Sequence, residues 1–256
     1  MQLTGQLEEK LGQLRLGGMQ AHLSSRLKAA QDHALGYEDF LNTLLQDEGE
    51  HRKNLKIARL LRNASLRQQA SLEGYDAKVH RGLDRKLVGD LATCRFILDS
   101  LKIIIMGPTG VGKTYLATAL GNAACRHGYS TLFIRMNTLI EQTMLARAKG
   151  TYLNWLKKLA GIDLLILDDF GIKPLAPQQY QDLYDVLDER GDGKSTIVTS
   201  QLPVSNWNEI IPDPVTCEAV TDRLVSKSIK IQMKGESYRK KKAEVEAAAL
   251  TKIDPS

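Results

Sequence analysis

The sequence predicts an α/β fold: a five-stranded parallel sheet covered by helices on both faces, preceded by a small all-α N-terminal domain. Three observations carry this. From about residue 76, short β-rich apolar runs alternate with stretches long enough for helices. A glycine-rich loop ending in Lys113-Thr114 joins one such run to the next helical stretch. Before residue 72 or so, apolar residues recur only with helical spacing.

In that first region Leu7, Leu11, Leu14 and Leu16 form one stripe. Tyr37, Phe40, Leu41, Leu44 and Leu45 form another, and Gly17, Gly18 and Gly36 punctuate the pattern. Residues 51–67 read as the most basic helix. Ile57, Leu60, Leu61 and Ala64 follow i, i+3, i+4, i+7, with Arg52, Lys56, Arg59 and Arg67 on an adjoining sector. Lys53 and Arg62 widen the patch, and only Glu48 and Glu50 precede it as counter-charges. Arg52, Lys53, Lys56, Arg59 and Arg62 are therefore candidate contacts to DNA phosphates. A solvated helix face is the alternative. The stretch 71–78 marks the boundary, giving domains 1–75 and 76–256.

The predicted strands cover 103–106, 131–135, 164–167, 196–199 and 229–232. After the first comes Gly107-Pro108-Thr109-Gly110-Val111-Gly112-Lys113-Thr114, a complete G-x-x-x-x-G-K-[ST] between a strand and a helix. The three glycines let backbone N–H groups turn toward phosphate oxygens without a Cβ in the way. The helix starting near Lys113 points its positive end at the same place. Lys113 reaches the β- and γ-phosphates of ATP, and the Thr114 hydroxyl is a ligand for Mg²⁺. The third strand ends in Asp168-Asp169 at its carboxyl end, where open α/β sheets bind ligands. Asp168 is placed to hold Mg²⁺, and Asp169 to orient or deprotonate the attacking water.

Bulk properties narrow the class. The 256 residues carry 43% apolar side chains and a formal net charge of +5, which suits a polyanionic partner as well as many neutral-substrate enzymes. Cys94, Cys125 and Cys217 are odd in number and far apart, which points to a reducing compartment and away from a disulfide framework. The five histidines lie scattered, with no zinc-ligand spacing. No apolar run approaches membrane-spanning length, and the N-terminus lacks a signal-peptide pattern, so the expectation is a soluble cytoplasmic protein.

Five blocks in order carry a resemblance: GPTGVGKTYLATALG (107–121), DLLILDDFG (163–171), STIVTSQLPVSNWNEIIPDP (195–214), TDRLV (221–225) and KGESYRKK (234–241). They resemble the AAA+ ATPases, and within them the IstB proteins of insertion sequences and their relatives the DnaC helicase loaders. The N-terminal block EHRKNLKIARLLRNASL (50–66) is similar to IstB-type N-terminal regions.

The resemblance implies further roles. The sensor-1 position falls at Thr199-Ser200, Ser200 being the assigned residue, where AAA+ proteins usually have Asn. Arg223 corresponds to an arginine finger reaching into a neighbouring subunit of a homo-oligomer, a surface arginine being the alternative. Arg239 corresponds to sensor 2, although the adjoining Lys240, Lys241 and Lys242 also read as a DNA-contacting tail. Asp169 stands where many AAA+ motors have Glu, which suits a slow switch. About 20 residues follow the last strand, too few for a full helical lid, and one helix is expected over 236–250. The implied activity is an ATPase that assembles on duplex DNA, without sequence preference, and presents it to an IstA-type transposase. A DnaC-like helicase loader is the alternative. A metabolic P-loop kinase would need an acceptor-binding motif that is not recognisable.

Overall fold

The computed structural model describes residues 2–66, 70–72, 83–191, 193–235 and 237. The chain falls into two compact units, Met1–Arg59 and Leu60–Ser256.

The first unit contains α1 (Gln2–Gln13), α2 (Gly17–Asp32) and most of α3 (Tyr37–Asn63). The basic stretch predicted over 51–67 is the second half of this long helix, because nothing between Leu45 and His51 stops it. Gly49 costs only about 1 kcal/mol relative to alanine. The unit's small core is Met19, Leu23 and Leu44, with Leu11, Leu16, Leu27 and Phe40 around it. Two acidic residues of α3 are buried beside that core. Glu48 Oε2 accepts from the backbone N–H groups of Gly18 (2.8 Å) and Met19 (3.3 Å), capping the first turn of α2. Its other oxygen accepts from Arg52 Nε at 2.6 Å. Asp47 takes a two-pronged pair from Arg26 of α2, both bonds 2.8 Å. Gly18 is what allows the approach, since a Cβ there would lie 2.6 Å from the Asp47 carbonyl and 2.7 Å from Glu48 Cα.

The second unit holds the sheet. Its strands are β1 (Lys102–Met106), β2 (Thr131–Arg135), β3 (Leu164–Phe170), β4 (Ser195–Ser200) and β5 (Ser228–Gln232). All pair in parallel, in the order β2-β3-β4-β1-β5. The helices are α4 (Arg85–Ala92), α5 (Arg95–Leu98), α6 (Lys113–Arg126), α7 (Met136–Ala148), α8 (Tyr152–Ala160), α9 (Pro177–Arg190) and α10 (Pro214–Val225). Alternate strand residues feed two separate cores. Ile103, Ile105, Leu164, Ile166 and Ile197 pack with Leu91, Phe96, Leu116 and Leu120 of α4–α6. Ile104, Met106, Leu165, Leu167 and Val198 face the opposite way, onto Leu139, Leu159, Leu183 and Leu224 of α7–α10. Burial on both faces explains why the strands read as unbroken apolar runs.

The boundary between the units lies upstream of the expected one near 75. Described residues just after Arg59 attach to the sheet unit. The Ala64 carbonyl accepts from Phe133 N at 2.8 Å, alongside β2. Leu66 packs against the core on the α6 side, and the Ala70 carbonyl accepts from Asn122 of α6 at 2.7 Å. Arg67 and the helix expected over 236–250 lie outside the described residues, apart from Ser237. Among the described residues no helix is long and apolar enough to cross a membrane.

Candidate nucleotide site

The glycine loop follows β1, which lies between β4 and β5, and turns directly into α6. Gly112 sits at the helix N-cap with φ 99°, and Gly110 has φ 86°, both in the left-handed region where a side chain would be strained. The loop is also crowded from outside. A Cβ on Gly107 would overlap the Met233 carbonyl just past β5, and one on Gly110 would overlap the Ser237 hydroxyl. Val111 points down into the core at 3% exposure and anchors the loop. Pro108 and Thr109 lie at the surface, with Thr109 Oγ1 donating to Gln201 Oε1 at 2.8 Å. Lys113 is buried, its ammonium donating to the carbonyls of Gly107 (2.8 Å) and Pro108 (2.9 Å). Phosphate oxygens reaching the loop would exchange with these carbonyls as partners for the same charge.

Asp168 lies at the heart of the site, 1% exposed near the end of β3. Oδ1 accepts from the Thr114 hydroxyl at 2.9 Å and from the Thr199 hydroxyl at 2.6 Å. Oδ2 is buried and has no hydrogen-bond partner among the described residues. Burial pushes the carboxyl above its ordinary pKa, with Asp169 adding to the shift. The Thr199 and Thr114 hydrogen bonds, and Arg135, pull the other way. A buried carboxylate oxygen without a donor is costly, and a hard cation satisfies it. One carboxylate and one neighbouring hydroxyl beside a phosphate loop are the protein oxygens that Mg²⁺ takes while keeping its other places for water and phosphate. The donor set fits the ion.

Asp169 follows immediately, but it is built differently. The β3–β4 register shifts between Leu167 and Phe170, and Asp169 adopts φ 61° at that bulge. Its backbone N–H donates to Thr199 Oγ1 at 3.1 Å. Its carboxylate lies 3.5 Å from Nε of Arg135, the last residue of β2. Of the two hydroxyls at the end of β4, it is Thr199 that meets both acidic residues. Ser200 is fully buried and faces the following turn, where its hydroxyl accepts from Leu202 N at 3.1 Å and its carbonyl from Gly107 N at 3.2 Å.

The remaining expected residues lie elsewhere. Arg223, on α10, binds Asp188 of α9 at 2.5 Å, and that contact raises the guanidinium pKa further. α10 starts as expected, with Asp213 accepting from Thr216 N at 2.8 Å and Pro214 in the first turn. Lys53, Lys56, Arg59 and Arg62 are exposed along α3. Arg52 is exposed too but is tied to Glu48. Arg239 lies outside the described residues. Sequence reasoning missed Arg135, because only the register that sets Arg135 beside Asp168 brings it to the site. For the sensor-1 position it assigned Ser200 with Thr199 left open; in the structure the Thr199 hydroxyl meets Asp168 and the Asp169 N–H, and the Ser200 hydroxyl meets Leu202 N.

The model of the IstB-like ATP binding protein family matches residues 9–246. The chain belongs to this family. It is 41% identical over 232 residues to the insertion sequence ATP-binding protein y4pL of Sinorhizobium fredii, covering 91% of this chain and 95% of that one. It is 35% identical over 247 residues to the IS21 ATP-binding protein of Pseudomonas aeruginosa, covering 96% and 93%. Among solved structures, the fold is similar to AMPPCP-bound DnaA from Aquifex aeolicus (TM-score 0.57, 19% identity, 73% of this chain and 57% of that chain). It is also similar to the DnaC helicase loader (TM-score 0.53, 20% identity, 64% and 97%). The fold of the sheet unit is thus similar to that of DnaA and DnaC, and in this IstB-like chain a helical N-terminal unit precedes it in sequence.

Proposed function

We propose that this protein is an ATP-dependent transposition helper: it assembles on duplex DNA with ATP bound, presents that DNA to a transposase, and lets go when ATP is hydrolysed. The observation that carries the reading is the pairing of Thr114 with Asp168, whose second oxygen is buried and has no partner among the described residues, beside a lysine-bearing phosphate loop. It occurs in a chain aligned over almost all its length with insertion sequence ATP-binding proteins.

Each role follows from the chemistry at its atoms. Loop N–H groups and Lys113 neutralise charge on the β- and γ-phosphates. Thr114 and Asp168 hold Mg²⁺, which when bound withdraws charge from the phosphate oxygens. Thr199, with its hydroxyl between Asp168 and Asp169, is the better candidate than Ser200 to sense the γ-phosphate side. Asp169 takes the proton of, or orients, the attacking water. Arg223 serves a neighbouring subunit, so turnover depends on assembly. Such fingers accelerate by about 10³–10⁵. The exposed cations of α3 supply sequence-independent backbone contacts.

The test is binding to a long duplex with ATP, ADP or no nucleotide, read by gel shift and negative-stain microscopy. ATP-dependent assemblies that Lys113→Ala abolishes are expected. Assembly by Lys113→Ala equal to the parent would sink the nucleotide switch. Binding to single strands in preference to duplex would instead favour a helicase loader.

A further inference from the structure

Arg223 has its charge turned back onto its own chain. It stands near the end of α10, and its Nη2 donates to Asp188 Oδ1 of α9 at 2.5 Å. The Tyr184 hydroxyl, one turn before Asp188 on the same face of α9, lies beside the same guanidinium. Nε is buried and has no hydrogen-bond partner among the described residues. A guanidinium grips a phosphate with two prongs along one of two edges, Nε with Nη2 or Nη1 with Nη2. Both edges share the nitrogen that Asp188 occupies, and the first also has its other nitrogen buried. Held this way, Arg223 has no edge to offer a phosphate. We propose that Asp188 is a positioning residue that keeps Arg223 folded back in the separate chain, and that the phosphate of a nucleotide on a neighbouring copy displaces it on assembly.

The inference rests on the reading of Arg223 as a group that serves a neighbouring subunit, and goes beyond it. The pair is suited to exchange. The Arg223 and Asp188 side chains are 37% and 49% exposed, so water competes for both and the contact is weak. A γ-phosphate offers more negative charge and more acceptor oxygens than one carboxylate, so it replaces Asp188 when ATP is present across the contact, and Asp188 takes the arginine back when the phosphate leaves. The ion pair is not needed to hold α9 against α10. Leu183 and Leu187 of α9 share a buried core with Val220 and Leu224 of α10.

Asp188→Asn, Arg223→Ala and the double variant are compared with the parent protein as full chains. The readouts are the protein concentration at half-maximal assembly with Mg²⁺-ATP by sedimentation, ATP turnover per chain over the same concentrations, and thermal melting. Asp188→Asn should lower the half-assembly concentration about two- to fivefold, the span that follows from releasing one half-exposed ion pair, and move the turnover curve by the same factor. A contact that served only to hold the helices would move melting and not this concentration. The double variant should assemble as Arg223→Ala does, because Asp188 acts through Arg223. An unchanged or higher half-assembly concentration in Asp188→Asn, with Arg223→Ala inactive at every concentration, would overturn the proposal and leave the trans role of Arg223 standing. So would a double variant that assembles more readily than Arg223→Ala. Should Asp188→Asn fold poorly, Asp188→Ser removes the same charge and carries the same test. Parent-like turnover per chain in Arg223→Ala would overturn both the proposal and the role of Arg223.

Discussion

Glu48 in the helical unit and Asp168 in the sheet unit are both acidic residues with almost no exposed surface, and they are treated in opposite ways. Glu48 has both oxygens engaged: two backbone N–H groups at the start of α2 on one, Arg52 on the other. Those bonds, led by Arg52, hold its carboxyl below the ordinary range despite burial. Asp168 receives two hydroxyls on one oxygen and, among the described residues, nothing on the other, and burial holds it above the ordinary range. A satisfied buried charge fixes a helix crossing. An unsatisfied one, beside a loop built for phosphate, marks where a ligand completes the structure.

Arg190 offers the hardest test of that distinction. It is a third buried charge, 4% exposed, at the end of α9. Its guanidinium donates to the carbonyls of Leu159 (2.5 Å), Ile162 (3.0 Å) and Ser195 (2.6 Å), and burial lowers its pKa to about 10. By the same logic it is purely structural, tying α8 and α9 to the start of β4. Arg190→Leu strands those carbonyls and should cost about 3–5 kcal/mol in denaturant unfolding. A loss of nucleotide affinity without a loss of stability would break the distinction.

Glu48→Gln comes next. It weakens the cap on α2 and leaves Arg52 without its partner, so the helical unit should lose about 2 kcal/mol. The nucleotide site has no reason to change. A Kd for ATP that moves with this substitution would show that the two regions do not act separately.

Asp168→Asn should have the opposite sign. The amide oxygen can still accept from Thr114 and Thr199 while the buried charge disappears. The nucleotide-free protein should gain about 1 kcal/mol, or about 2–4 °C in melting temperature, while stabilisation by Mg²⁺-ATP is lost. The pH behaviour follows the same signs. Asp47 and Glu48 have lowered values, so their stabilisation is present above the ordinary carboxylate range and is lost as pH falls through their folded values. Asp168 has a raised value, so its ionisation opposes folding, and protonation on acidification relieves that cost. Mg²⁺-dependent nucleotide binding should therefore weaken at a pH where α-helical circular dichroism is still intact. Simultaneous loss of both would contradict the assignment.

Legibility in the sequence divides along the same line. The phosphate loop, the apolar strands and Asp168 were readable because each is a local pattern: a motif, a run, a carboxylate at a strand end. The start of α10 at Asp213-Pro214 was readable for the same reason. What depends on a partner distant in sequence was not. Glu48 looks like a solvated counter-charge until Gly18 brings a helix N-terminus against it. Arg135 looks like the ordinary end of a strand until the β2–β3 register sets it beside Asp168. Thr199 and Ser200 are chemically alike, and only the orientation of β4 and the bulge opposite separate them.

The same distinction reaches the basic face of α3 with the smallest expected effect. Arg52 spends Nε on Glu48, whereas Lys56 is an exposed side chain on the same helix. If the face binds DNA backbone, Lys56→Ala should leave stability within about 0.5 kcal/mol and reduce the slope of log K against log salt by about 0.9. Arg52→Ala should do both kinds of damage, lowering stability by about 0.5–1 kcal/mol as well as weakening DNA binding. Titrating each variant against a duplex at several salt concentrations, alongside a melting curve, separates the two. An unchanged slope in Lys56→Ala would make the patch a solvated helix face. If the assembly test still finds duplex bound, the phosphate contacts would then be sought among cations of the sheet unit, since binding without base recognition must neutralise phosphates somewhere.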